Sequence, residues 1–448
     1  MFRKVLVANR GEIALRVIRA CREMGIATVA VHSDVDRESL HVKMADESVC
    51  IGPAESRESY LSVQRILAAA EVTNADAIHP GYGFLAENAE FARVCEKCGV
   101  AFIGPTAANI DSMGDKLSAR EAMKQAGLPM MPGIEVDVDD AAKAASVAQE
   151  IGLPVIVKAT AGGGGKGIKV VRSMEQLWNT LKAAKSEAQA AFGNSRVYIE
   201  RYLEEARHIE FQVAADGNGN VVHFGERDCS IQRRYQKVLE ESPSPAVPAD
   251  VRRDMGKIVT DAIRSIGYRN LGTVEFLMDP QKRFYFLEMN TRIQVEHPIT
   301  EEVVGIDLVK LQLRLAAGDP LPVRQEDIRM QGHAMEMRIN AEDPEKFYPS
   351  AGQITAYHVP GGRGIRVDSG AYDGYAISPY YDSMIAKLIV HGVDRPEAIA
   401  KGEVALREFL IEGIHSNIPL HQRILSNPEF RSGTTSVTFL SKLLNLKY

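Results

Sequence analysis

ATAGGGGKGIKVV, residues 159–171, sets four consecutive glycines and a lysine between two short apolar runs. Several unrelated folds hold phosphate with glycine and lysine, so the reading of this stretch decides the fold. Gly162, Gly164 and Gly167 satisfy the GxGxxG spacing, but in a dinucleotide fold that motif opens a helix whose N-terminus holds the pyrophosphate. Here IKVV follows, which is β-branched and strand-like. A Walker loop fails as well: Thr160 stands where its first glycine belongs, and Gly167 follows Lys166 where Ser or Thr is required. The stretch therefore predicts a flap between two strands, whose backbone N–H groups can approach an anion without obstruction by Cβ.

Outward from the flap, the 448-residue chain is long enough for two or three domains. Its apolar fraction of 45% and charged fraction of 25% are those of a soluble globular protein. A net charge of −6 excludes general attraction to nucleic acid. No run approaches the roughly 18 apolar residues of a membrane span, and the opening MFRKVLVANR reads as a strand without a signal-peptide cleavage site. Five cysteines, an odd number, predict reduced thiols in the cytoplasm. Cys95 and Cys98 form a CxxC with no second copy and are read as ordinary thiols.

The first hundred residues alternate strand and helix (KVLVAN, EIALRVIRACREMG, ATVAVHS and onward), which predicts a Rossmann-like parallel sheet. The turn NRGE carries one glycine, which argues against NAD despite Asp34 and Asp36. LPMMPG reads as a linker, and residues 132–203 as a compact helix–strand–flap–strand–helix–strand segment. Strands then dominate to Asn290; hairpins are expected around 361–374, and a closing helix near 396–410.

The segment GTVEFLMDPQKRFYFLEMNTRIQVEHPIT, residues 272–300, reads as an acidic hairpin turning at Asp279-Pro280-Gln281-Lys282. Glu288 and Asn290 leave one face, and an even-numbered turn adds Glu275 to it, opposite Phe286 or Glu288. Converging carboxylates in a β-rich core call for a cation, and oxygen ligands favour Mg²⁺ or Mn²⁺ bridging phosphates. Just downstream, Arg292 and Gln294 suit a small carboxylate-like anion, with Glu296 a base beside it. His297 receives no role, and Glu301 and Glu302 are read as charges at a helix N-terminus. Lys116 and Lys158 suit a triphosphate. Arg338, in AMEMRINAEDP, is either functional or a structural ion pair.

NRGEIALRVIRACREMGI, HPGYGFLAEN, FIGP, MGDK, KATAGGGGKG, ERDCSIQRRYQK, EMNTRIQVEHP and RINAEDP stand in that order along the chain. Together they closely resemble biotin carboxylase, an ATP-grasp enzyme and the first component of biotin-dependent carboxylases such as the acetyl-CoA carboxylase of fatty acid biosynthesis. The resemblance implies an α/β and α+β chain: a Rossmann-like domain over 1–114, linker helices over 115–131, an ATP-grasp lid with its flap over 132–203, and the ATP-grasp core with a mixed C-terminal domain over 204–448. It implies that Lys116, Lys158, Gly164, Gly165, His208, Gln232 and Tyr235 contact ATP, with Glu200, Arg201, Tyr202 and Leu203 as the adenine hinge. Glu275 and Glu288 would bind two Mg²⁺ or Mn²⁺ ions together with Asn290. Lys237, Arg292, Gln294 and Val295 would hold bicarbonate, Glu296 would be the base, and Arg338, with Tyr82 and Gly83, would hold biotin. A homodimer is implied, meeting biotin on a separate carrier protein and serving a carboxyltransferase component that chooses among acceptors such as acetyl-CoA, propionyl-CoA or pyruvate. Tyr235 departs from the family's usual His, and Arg363 from an aromatic found at the dimer contact in some members. EAMK imitates a biotin-attachment motif, but its Lys124 lies in helical sequence rather than a hairpin turn.

Overall fold

Apolar strands alternating with amphipathic helices make the N-terminal region a parallel sheet. Its strands run in the order Glu47–Gly52, Ala27–Ser33, Lys4–Val7, Ala77–His79 and Ala101–Phe102. The computed structural model describes residues 1–136, 141–159, 168–192 and 197–446. Asp36, one of the two carboxylates at NAD-like spacing, is bound by Arg10 at 2.7 Å and by the Tyr60 hydroxyl at 2.6 Å, a structural use.

A four-stranded antiparallel sheet follows, ordered Gly133–Val136, Val197–Arg201, Val155–Ala159 and Ile168–Val171. Val155, Val157, Val171 and Ile199 pack against Ala144, Ala148, Leu177 and Leu181 of helices Ala141–Ile151 and Met174–Phe192. Val155 pairs with Val171 and Lys158 with Ile168, so the glycine stretch joins two strands of one hairpin. Its own residues, Gly164 and Gly165 among them, lie outside the described residues.

The rest is organised by one antiparallel sheet of eight strands. Their order is Phe284–Asn290, Asn270–Met278, Arg207–Ala215, Val221–Arg233, Gln236–Ser242, His333–Asn340, Met384–Gly392 and Ile365–Ser369. The sheet is continuous across the pair Gln236–Ser242 and His333–Asn340, which puts Arg338 on the same sheet as the acidic hairpin. The fold is thus mixed α/β, a parallel N-terminal sheet beside an antiparallel core.

Two sequence expectations fail here. No hairpin forms over 361–374: Ile365–Ser369 pairs with Met384–Gly392, whose apolar run IAKLIV offers a longer partner than any local segment. The helix expected near 396–410 forms at Arg395–Glu408 but does not close the chain, since Ile418–Ser426, Pro428–Ser432 and Phe439–Leu443 follow it. Lys124 sits inside helix Lys116–Gln125. No described helix is long and apolar enough to cross a membrane.

Candidate active site

Strand alternation builds the site. Along Arg207–Ala215, Ile209, Phe211 and Val213 enter the apolar core with Phe276, Phe284 and Phe286, so His208, Glu210 and Gln212 face the other way. Register then aligns side chains across strands: Arg227 pairs with Glu210, Glu210 with Glu275, and Glu275 with Glu288. The four form one lateral row on one face, at strand spacings of about 4.8 Å. Glu275 meets Glu288 through a register shift between Glu275 and Phe276, since the turn 279–283 holds five residues and not the even number expected. Asn290 donates its amide to Glu275 at 2.9 Å.

Three adjacent carboxylates in a row repel one another unless cations stand among them. Lys237 supplies the first, reaching Glu210 at 2.6 Å, Glu275 at 2.8 Å and Glu296 at 2.6 Å. Burial alone would lower its pKa, but those three carboxylates raise it well above the ordinary value. Arg227, fully buried, supplies the second: it binds Glu210 at 2.5 Å and donates to Gln212, Thr300 and Thr273. The Glu288 carboxyl is raised, by burial first and then by Glu275. His208 approaches Glu275 at 3.0 Å and contacts Gln232 at 2.9 Å.

Glu296 is completely buried and gripped on both oxygens, by Lys237 on Oε1 and by Arg338 at 2.8 Å on Oε2. Burial would raise its pKa, yet Lys237 and Arg338 hold it below the usual carboxylate range. Arg338 uses its Nε on Glu240 at 2.7 Å. Burial pushes the Glu240 carboxyl up to about 7 against the pull of Arg338.

The loop after the hairpin is anchored from the N-terminal region. Glu87 accepts from the backbone N–H of Thr291 at 3.0 Å and from Arg292 Nε at 2.9 Å; Arg292 also donates to Asn290 Oδ1 at 2.9 Å and to Gln294 Oε1 at 3.1 Å. Gln294 is buried, and its Nε2 has no hydrogen-bond partner among the described residues. A buried donor of this kind is costly unless an acceptor arrives, which suits a small anion held beside Arg292. Glu301 and Glu302 are not N-terminal helix charges. Pro298 starts their helix earlier, at His297, and they fall in its later part. There Glu301 accepts from Arg16 at 2.9 Å and Arg366 at 2.8 Å, while Glu302 pairs with Arg366 at 3.2 Å.

On the lid side, Glu200 accepts from Arg120 at 2.6 Å and Lys158 at 2.7 Å. The hinge is tied down by backbone bonds from Arg201 to Pro132 and from Tyr202 to Pro154, and Leu203 ends it half-buried. Lys116 has its pKa lowered, by burial first, against the attraction of Glu288. Tyr235 sits at a tight turn, where Arg234 and Tyr235 both have positive φ, and is 50% exposed. Tyr82 donates its hydroxyl to Glu12, feels the charge of Arg338, and precedes Gly83 at φ +69°.

The cross-strand carboxylates Glu275 and Glu288 are hard ligands suited to a divalent ion, with Glu288 raised by burial first and then by Glu275. Asn290 could add its amide oxygen, which here accepts from Arg292. The match to known proteins is equally specific. Residues 1–110 match the biotin carboxylase N-terminal domain, 115–324 the carbamoyl-phosphate synthase L chain ATP-binding domain, and 336–442 the biotin carboxylase C-terminal domain. Biotin carboxylase 1 of Bacillus subtilis (strain 168) is 57% identical over 98% of each chain.

The chain belongs to the biotin carboxylase family.

Solved structures of the family superpose closely. The biotin carboxylase β-γ-ATP complex from Campylobacter jejuni has a TM-score of 0.96 at 47% identity over 99% of both chains. The biotin carboxylase domain dimer of Hydrogenobacter thermophilus 2-oxoglutarate carboxylase, in complex with MgADP, ADP and bicarbonate, has a TM-score of 0.95 at 49% identity over the whole of both chains. Beside the family's motif residues, the structure draws Glu87, Arg120, Glu210, Arg227, Glu240 and Lys387 into the site; all were passed over in the sequence. Glu87 and Arg227 had a local signal, their places in HPGYGFLAEN and ERDCSIQRRYQK.

Proposed function

We propose that this chain uses ATP and bicarbonate to carboxylate biotin presented on a separate carrier protein, as the first half-reaction of a biotin-dependent carboxylase. The observation that carries the proposal is the doubly gripped Glu296: one oxygen on Lys237, beside the anion loop, and the other on Arg338. Lys237, Arg292, Gln294 and the backbone at Val295 hold bicarbonate. Glu296 takes its proton, and the freed oxygen attacks the γ-phosphorus of ATP as ADP leaves, giving carboxyphosphate. Lys116, Lys158, His208, Gln232, Tyr235 and the 200–203 hinge place the nucleotide. Mg²⁺ or Mn²⁺, held by Glu275, Glu288 and Asn290, would offset the negative charge gathered around the phosphates. Carboxyphosphate breaks down to CO₂ and phosphate. The phosphate removes the ureido N–H proton of biotin, the nitrogen attacks CO₂, and Arg338 stabilises the developing enolate oxygen with Tyr82 and Gly83 beside it.

The bases Glu296 and bicarbonate compete under one field. Lys237 and Arg338 bind Glu296 directly and lower it. Bicarbonate, gripped by Lys237 and Arg292, is lowered as well, so donor and acceptor move in the same direction and proton transfer between them is retained. With the activity go a homodimer like that of the Hydrogenobacter domain, a carrier, a carboxyltransferase that chooses the acyl acceptor, a cytoplasmic location suited to free thiols, and the domain division at 114, 131 and 203. Chelation tests the metal share: excess EDTA abolishes ATP cleavage, and Mg²⁺ or Mn²⁺ restores it. Cleavage that survives the chelator at an undiminished rate contradicts the role given to Glu275, Glu288 and Asn290.

A further inference from the structure

Lys387 is fully buried, on the strand Met384–Gly392, and the scheme above gives it no part. It is the cross-strand partner of Arg338, so both side chains leave the same face of the sheet. Its ammonium donates to the carbonyl of Val295 at 2.9 Å and lies 3.2 Å from Glu12 Oε2 and 4.0 Å from Asp368. The other oxygen of Glu12 accepts the Tyr82 hydroxyl. One ammonium thus reaches two elements distant in sequence: the 291–296 loop directly, and the Tyr82 turn through the helix Gly11–Glu23 that carries Glu12.

A buried ammonium is a poor choice for packing alone, because an apolar residue of similar volume fills the space without the cost of desolvating a charge. One hydrogen bond, to Val295, and one ion pair, to Glu12, from a single ammonium do what a hydrophobe cannot, which is to fix two acceptors relative to each other. Pinning the Val295 carbonyl fixes the peptide leading into Glu296. Binding Glu12 fixes the acceptor that orients the Tyr82 phenol. We infer that Lys387 is a positioning residue that holds the bicarbonate loop and the biotin-facing Tyr82 in register with each other. This rests on the proposed function, which places Val295 at bicarbonate and Tyr82 at biotin.

The two branches separate in kinetics. Lys387 serves both, whereas Glu12 lies only on the branch to Tyr82. In the full-length dimer, Lys387→Met is expected to raise KM for bicarbonate and for free biotin by about tenfold or more each, on the scale that small misplacements cost. Glu12→Gln keeps an acceptor for the phenol but loses the charge that draws Lys387. It is expected to raise the biotin KM several times more than the bicarbonate KM. Circular dichroism and a thermal melt establish that each variant is folded, and Glu12→Gln carries the test should Lys387→Met not fold. A folded Lys387→Met with both KM values within about twofold of wild type overturns the inference, as does Glu12→Gln with neither shifted. Wild-type chain lacking bicarbonate-dependent ATP cleavage overturns the proposed function instead.

Discussion

Replacing Glu296 with alanine is expected to lower bicarbonate-dependent ATP cleavage by about 10²- to 10⁴-fold, the usual worth of a positioned general base. The carboxylate is completely buried and ionised, and Lys237 and Arg338 hold it in place from opposite oxygens. Its removal takes away the proton acceptor and leaves Lys237 with two carboxylate partners, Glu210 and Glu275. Glu296→Gln separates these effects. Glutamine keeps the shape and an oxygen for Lys237 but cannot accept the proton, so the isostere should be nearly as inactive as the alanine variant. A glutamine enzyme cleaving ATP at the wild-type rate would falsify the base assignment and make Glu296 a spacer between two cations. The readout is phosphate release under saturating ATP, with and without bicarbonate.

Arg338→Ala is expected to divide the two half-steps. Carboxybiotin formation falls by about 10²- to 10³-fold, the cost of losing a donor aimed at developing charge. Bicarbonate-dependent ATP cleavage survives in part, because Lys237 still grips Glu296 and Arg292 keeps its contacts to Glu87, Asn290 and Gln294. Arg338→Lys retains the charge but loses the planar fork that serves Glu240 and Glu296 together, so it should recover little of the carboxylation. Equal loss of both activities in Arg338→Ala would make the arginine a structural pair for Glu240 and Glu296. The comparison needs product and phosphate measured in the same reaction.

How much of this was legible in the sequence depended on the distance over which each contact acts. The acidic hairpin was readable as a hairpin, but its register was not. The turn holds five residues, 279–283, not an even number, and would by itself set Glu275 opposite Leu287; the register shift between Glu275 and Phe276 is what brings Glu275 to Glu288. Glu210 was not readable, though it sits in an ordinary alternating strand, HIEF. Its place in the charge row is set by pairing with Asn270–Met278 and Val221–Arg233, and no local pattern records that register. Glu240 and Lys387 were hidden for the same reason, since each acquires its meaning from a strand far along the chain. Arg227 meets Glu210 across the adjacent strand, but a register irregularity between Phe211 and Val213 keeps that pairing from being counted out from the loop. The failed hairpin at 361–374 shows the converse: glycines and turn residues marked where the chain bends but not which distant strand its apolar residues join. Glu301 and Glu302 were misplaced because helix register was read from the charges, while the proline four residues before Glu302 set the start.

The claim on which the rest depends is that this chain moves carbon from bicarbonate to a biotin nitrogen with ATP as the energy source. Incubating it with ¹³C-bicarbonate, ATP, Mg²⁺ and free biotin, and following the label by NMR, observes that transfer itself. The account predicts a labelled carbamate carbon on biotin, appearing only when ATP is present and alongside phosphate release. ATP cleavage with no label on biotin, or labelled biotin without ATP, would contradict it.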